Sequence, residues 1–229
     1  MRKRVIIGLP GNNFSDTFLT CWTNLVVDLL ASDYEIRICQ GYSSFVSFAR
    51  MKTMGLDVMR GKDQKPFDDA EYDIFLTIDS DMVFSSKLVL RILEKVQEYK
   101  VVSGMYMMQG GEMLATVKDW DHEYFLNNGS FKFLTMEDII NWKKENPEQP
   151  MMKVAYSGMG MFACTKEVLN SLEYPYFYHP IMEITGSDGK VYRDICSEDV
   201  ALCRNIQEKG FDIYLDTDVR VGHEKRVII

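Results

Sequence analysis

The chain carries little that would staple or anchor it. Its five cysteines are odd in number and form no CxxC pair. Cys39, Cys164 and Cys203 sit in apolar segments and read as small buried hydrophobes rather than disulfide partners, which points to a reducing compartment, the cytoplasm. No stretch approaches 18 uninterrupted apolar residues, so no transmembrane segment is expected. The start, MRKRVIIGLPG, is basic, but its apolar run is short and is broken by Gly8 and Pro10, so a signal peptide is not expected there. A basic excess is also missing: 26 Lys and Arg face 34 Asp and Glu, a formal charge of −8. Broad nucleic-acid binding relies on clustered cations, so no nucleic-acid partner is expected, although one nucleotide held locally remains compatible. There are no internal repeats and no low-complexity tract.

What is present is an ordinary globular composition, 46% hydrophobic and 26% charged over 229 residues. The patterning predicts strands at 3–9, 34–39, 73–78 and 101–107, with helices at 16–31, 43–59 and 85–99 between them. Ser15 or Asp16 caps the first helix, whose apolar positions are Phe18, Leu19, Trp22, Leu25, Val26, Leu29 and Leu30. This β-α alternation predicts an α/β fold with a mainly parallel, doubly wound sheet flanked by helices. The rhythm breaks after residue 108. Residues 109–150 are mixed, with a helix at 136–146, and regularity returns at 154–164 and in a helix at 166–172. Residues 173–194, rich in Tyr, Pro and Gly, read as a functional loop or lid. A helix at 197–209 ends at Gly210, and short strands follow at 211–215 and 220–222.

Chemistry concentrates in a few places. Tyr72–Phe84 reads YDIFLTIDSDMVF: an apolar strand runs straight into Asp79-Ser80-Asp81. Two carboxylates spaced i, i+2 at a strand tip suit a hard cation, Mg2+ or Mn2+. In open α/β sheets ligands bind at the carboxyl ends of strands, so a phosphorylated ligand is expected nearby. The bland reading is a solvated turn capping the helix at Ser85. Ser197-Glu198-Asp199 combines an N-cap with two acids in a helix's first turn, which the helix dipole alone would explain. Following an aromatic loop, such a carboxylate is also placed to act as general base on a hydroxyl. His223, after Gly222 and before Glu224-Lys225-Arg226, is an acceptable Mn2+ ligand, and Lys225 and Arg226 are suited to a diphosphate. Arg50, on a largely apolar helix, is suited to a phosphate or a base. Ser157-Gly158-Met159-Gly160-Met161 lacks the third glycine of a dinucleotide fingerprint, and GLPGNNFSD lacks the Lys-Ser/Thr of a P-loop. Glycines 158 and 160 read instead as letting backbone approach a sugar or acceptor.

In this order the residues resemble the GT-A (Rossmann-like) glycosyltransferases, especially compact family-2-like and phage or viral members. The strand ending at Pro10, Ala49-Arg50, Asp79-Ser80-Asp81, the glycine pair, Ser197-Glu198-Asp199 and the late His223 carry the likeness across essentially the whole chain. The resemblance implies one domain over residues 1–229, with a nucleotide-binding half at 1–108 and a smaller mixed acceptor-binding half at 109–229. It implies a UDP- or GDP-linked sugar donor at Leu9, Pro10, Gly11, Arg50, Asp79, Ser80 and Lys225. Asp81 and His223, with Asp79, would hold Mn2+ or Mg2+. A glycan or other hydroxyl acceptor would lie at Gly158, Met159 and Gly160, and Asp199, beside Glu198, would be the base of an inverting transfer. Here ARMKTMG stands where many relatives have Ala-Arg-Asn, and no QxxRW follows the ED pair, which favours single-sugar transfer. Two other readings share the pattern. A sugar nucleotidyltransferase would want a basic Gly-rich loop after the first strand, and GLPGNNFSD has no base. A non-catalytic nucleotide-sugar or glycan-binding module would not need both metal ligands and a base.

Overall fold

The computed structural model describes residues 2–225; the expected contribution of Arg226 lies outside the described residues. The chain runs β1 (Lys3–Pro10), α1 (Asp16–Leu30), β2 (Tyr34–Gly41), α2 (Val46–Thr53), β3 (Ile74–Ile78), β4 (Met82–Val83), α3 (Ser86–Tyr99) and β5 (Val101–Met105). It continues through β6 (Met113–Val117), α4 (His122–Asn128), β7 (Phe133–Thr135), α5 (Met136–Glu145), β8 (Met151–Val154), β9 (Tyr156–Ser157), β10 (Met161–Thr165) and α6 (Lys166–Ser171). The last elements are β11 (Ile181–Thr185), β12 (Val191–Ile195), α7 (Glu198–Glu208), β13 (Ile213–Arg220) and β14 (Gly222–His223).

Seven strands form one sheet in the order β2-β1-β3-β10-β5-β13-β8. β1, β2, β3, β5 and β13 run one way, while β10 and β8 run against them. Near-continuous apolar runs such as IFLTI in β3 suit strands covered on both faces. Side chains alternate accordingly. Val5, Ile7, Leu9, Ile74, Leu76 and Ile78 pack with α1 and α3, whereas Ile6 and Phe75 belong to the core beneath α2, α6 and α7. Strands from beyond residue 108 insert directly between or beside those from before it, so both parts of the chain build the same sheet.

Several elements differ from the sequence expectation. On α1, Phe18, Leu25 and Leu29 are buried, but Leu19 and Leu30 point to solvent, because the helix rests on the sheet by a narrow stripe. α2 ends at Thr53, since Met54 and a left-handed Gly55 turn the chain. The stretch expected as a loop at 173–194 holds a hairpin, β11 on β12, in which Met182 and Ile184 face inward while Glu183 pairs with Arg193. Its Tyr, Pro and Gly content masked a period-two pattern. The two short strands expected near the end are one long strand, β13, with a register shift between Asp216 and Arg220; the following β14 pairs with β4.

At Gly41 a Cβ would stand 2.5 Å from the backbone nitrogen of Thr53, so β2 and α2 touch there without room for a side chain. We expect Gly41→Ala to lower stability by about 1–3 kcal/mol, as overpacking against immovable backbone does; urea unfolding of the two proteins measures it.

Candidate active site

The site lies where β1 and β3 end and α7 begins. Its centre is Arg50, 6% exposed. Nη1 and Nη2 donate to Oδ1 and Oδ2 of Asp79 at 2.9 and 3.0 Å, and Nε donates to Oε1 of Glu198 at 3.2 Å. Burial by itself would lower the Arg50 pKa; Asp79, then Glu198, outweigh it and keep the guanidinium charged. The tip of β3 and the start of α7, 119 residues apart in sequence, are thereby joined by one side chain.

Asp81, two residues on, has a different set of partners. Its Oδ2 lies 3.0 Å from His223 Nε2 and accepts from Lys225 Nζ at 2.8 Å. β14 brings the histidine here by pairing His223 with Met82, and the Glu224 amide donates to the Asp81 carbonyl at 2.8 Å. His223 Nδ1 stands 2.7 Å from the Met107 carbonyl, which can only accept, so Nδ1 carries a proton. Burial would raise the Asp81 carboxyl; hydrogen bonds from His223 and Lys225 overcome that and hold it at about 2. Burial would lower His223; Asp81 and the Met107 carbonyl overcome that and raise it. A cleft of about 250 Å3 beside this pair is lined by Asn13, Ser15, Ser80, Asp81, Glu224 and Lys225.

Asp199 is half-buried and held by neighbours. Tyr156 Oη donates to its Oδ2 at 2.8 Å, and Ser197 Oγ and the Val200 amide donate to its Oδ1. Burial, reinforced by Asp199, pushes the Tyr156 phenol far up, so it stays a neutral donor. Ser197 occupies the N-cap position but spends its hydroxyl on Asp199 instead of a helix amide.

Some expected roles change. Glu198 is buried behind Asp199 and tied to Arg50, so it positions the site and does not reach a substrate. Arg50 itself is committed to carboxylates rather than to a phosphate or base. Each Asp79 oxygen accepts one bond from Arg50 and keeps a further lone pair. Among the described residues no three His, Cys, Asp or Glu side chains converge as a metal cage. Asp81 and His223 do fit a divalent cation. Proton and ammonium now stand where positive charge is demanded, the Nδ1 bond directs Nε2 toward Asp81, and a carboxylate with an imidazole suits Mn2+ completed by phosphate oxygens. Gly158, Met159 and Gly160 are buried and offer no acceptor surface. A Cβ on Gly158 would stand 2.1 Å from Tyr106 Oη, and one on Gly160 2.8 Å from Tyr106 Cζ. The glycines exist to seat the Tyr106 ring, which packs edge-on against His223 at 5.3 Å while its hydroxyl accepts from the Gly160 amide at 3.1 Å. Leu9 and Pro10 are buried; Gly11 (φ 131°) lies against Ser80, where a Cβ would meet Oγ at 2.9 Å. Tyr106 and Tyr156 had no signal in the sequence beyond being aromatic hydroxyls in apolar strands.

Two outcomes follow from these pairings. Arg50→Ala strands two carboxylates, and we expect a loss of about 3–5 kcal/mol in denaturant unfolding, with Arg50→Lys recovering only part because it cannot bond both Asp79 oxygens. In the metal-free protein, Asp81→Asn removes the charge that raises His223, so its imidazole pKa should fall in an NMR titration.

No protein-family model matches the chain, and no curated protein does. Solved structures do. GalNAc-T7 with UDP, GalNAc and Mn2+ superposes with a TM-score of 0.57 at 11% identity, over 99% of this chain and 44% of that one. A197 from STIV gives 0.48 at 14% identity, over 100% and 97%. Glucosyl-3-phosphoglycerate synthase from Mycobacterium tuberculosis with Mg2+ and UDP gives 0.46 at 14% identity, over 99% and 73%. The chain spans less than half the length of the GalNAc-T7 structure. The likeness to GalNAc-T7 establishes the fold: a GT-A-type α/β domain with a seven-strand sheet flanked by helices.

Proposed function

We propose that this chain is a metal-dependent glycosyltransferase of the compact, family-2-like kind, working in the cytoplasm as one domain over residues 1–229. It moves a single sugar from a UDP- or GDP-linked donor to a hydroxyl of a glycan or other acceptor, with inversion. The observation that carries this reading is the Arg50 clasp. It holds Asp79 at the tip of β3 and Glu198 at the start of α7 in fixed relation, with Asp199 next to Glu198 and the Asp81–His223 pair beginning two residues beyond Asp79. A helix cap or solvated turn would need no buried arginine between them.

In this reading Asp81 and His223 hold Mn2+ or Mg2+, which when bound offsets charge on the departing nucleoside diphosphate. Lys225, beside Asp81, adds a second positive charge for that group. Backbone of Leu9, Pro10 and Gly11, with Ser80, lines the donor side. Asp199, oriented by Tyr156 and Ser197, takes the proton of the acceptor hydroxyl, whose own pKa is far above 7. Arg50 and Glu198 keep that carboxylate in place. The acceptor then enters over Asp199 rather than over the buried glycines.

Calorimetry with UDP and GDP tests the donor site: binding should depend on Mn2+, and equal affinity with and without the metal would refute the cation role. Released nucleoside diphosphate, not pyrophosphate, separates transfer from nucleotidyl chemistry. We expect Asp199→Asn to keep donor affinity while kcat and kcat/KM fall together by at least about 10²-fold, the loss of a general base. Near-normal turnover in that variant, or a product of retained anomeric configuration by NMR, would leave Asp199 as an acceptor holder.

A further inference from the structure

The central sheet ends differently at its two edges. On one side β8 is four residues long, follows Pro150 and carries Lys153, which is exposed and pairs with Asp212 at 2.7 Å. Short length, proline and lysine are the usual guards of an edge whose N–H and C=O groups would otherwise pair with another chain. β2, at the other end of the sheet, has none of them. It runs eight residues, YEIRICQG, in unbroken register with β1, and no strand among the described residues borders its outer side. Its side chains alternate between the faces. Tyr34 and Ile36 pack on the core beneath α1 and α3, and Ile38, on the same face, is 47% exposed. Glu35 and Arg37 lie exposed on the other face. Neither makes an ion pair among the described residues. Arg4, beside Glu35 in the register, reaches Glu71 instead at 3.6 Å, and Arg37 lies by the Cys39 thiol.

We propose that β2 pairs antiparallel with β2 of a second copy of this chain, about a twofold axis at Ile36, so that the two sheets join into one. Strand addition to an open edge satisfies its outward N–H and C=O groups. An axis at Ile36 sets that residue opposite itself, Glu35 opposite the partner's Arg37, and Tyr34 opposite the partner's Ile38, each pair occurring twice. Directly opposed residues stand about 4.5–5.5 Å apart at Cβ, near enough for both ion pairs to close. Moving the axis by one residue sets Glu35 against Glu35, or Arg37 against Arg37, and like charges directly opposed are unfavourable. The strand is therefore complementary to itself in one register, which is what a symmetric interface requires and what an unrelated strand has no reason to match. The same axis lays both α1 helices on one face of the joined sheet, where Leu19, Val27 and Leu30 are 61%, 60% and 65% exposed. The pairing does not depend on the proposed transferase reading.

Sedimentation velocity of the full chain over a micromolar concentration series tests it, with no nucleotide, metal or activity involved. The wild-type protein should pass from monomer to dimer as concentration rises, and the dimer should weaken as salt rises. Arg37→Glu leaves four glutamates facing across the axis, and Glu35→Arg leaves four arginines. Each variant alone should hold the dimer about tenfold or more weakly, as two opposed ion pairs become two repulsions. Mixed in equal amounts, the two variants match again, glutamate against arginine, and should recover the dimer. Glu35→Arg with Arg37→Glu in one chain should recover it as well. Thermal melting of each variant verifies its fold. A wild-type protein that stays monomeric would overturn the proposal. So would single variants that dimerise like wild type, or a mixture and a double variant that both remain monomeric.

Discussion

A guanidinium removed from water must find opposite charge nearby, and in this protein the requirement organises the site. Arg50 bonds both oxygens of Asp79 and one of Glu198. Three segments distant in sequence are therefore held in one register: the helix after β2, the tip of β3 and the first turn of α7. The sheet supplies the approximate placement. The charged pairs fix the last ångströms, because a buried ion left unmatched costs several kcal/mol.

A second chain of contacts fixes the other side. The Met107 carbonyl holds the His223 ring, His223 meets Asp81, and Lys225 adds a further charge. Tyr106 fills the space between the two sides. Its ring is received by two glycines on one flank and lies against His223 on the other. The strand-tip acids thus serve different ends although they are two residues apart. Asp79 bonds a buried arginine, and Asp81 lines a cleft with cationic partners.

Much of the fold was legible in the chain. Continuous apolar runs at β1, β3 and β5 and the intervening helical periods led to an α/β sheet flanked by helices, and Ser15 caps α1 as its position suggested. Less legible were the places where composition and periodicity disagreed. The β11–β12 hairpin hid in a segment rich in loop formers, and Gly158 and Gly160 resembled a ligand-facing pair although they make room for an internal tyrosine.

The sequence by itself determined which chemistry was available: strand-tip carboxylates, acids at a helix start, a late histidine and a lone arginine on an apolar helix. Local spacing constrains these because side-chain direction repeats every 2 or 3.6 residues. Which group meets which was decided only by the tertiary structure. The partners of Arg50, Asp81 and Asp199 lie 29 to 148 residues away in sequence, apart from Ser197 and the Val200 amide beside Asp199. No local pattern encodes such contacts; they arise when β10 and β13 insert beside strands made much earlier in the chain.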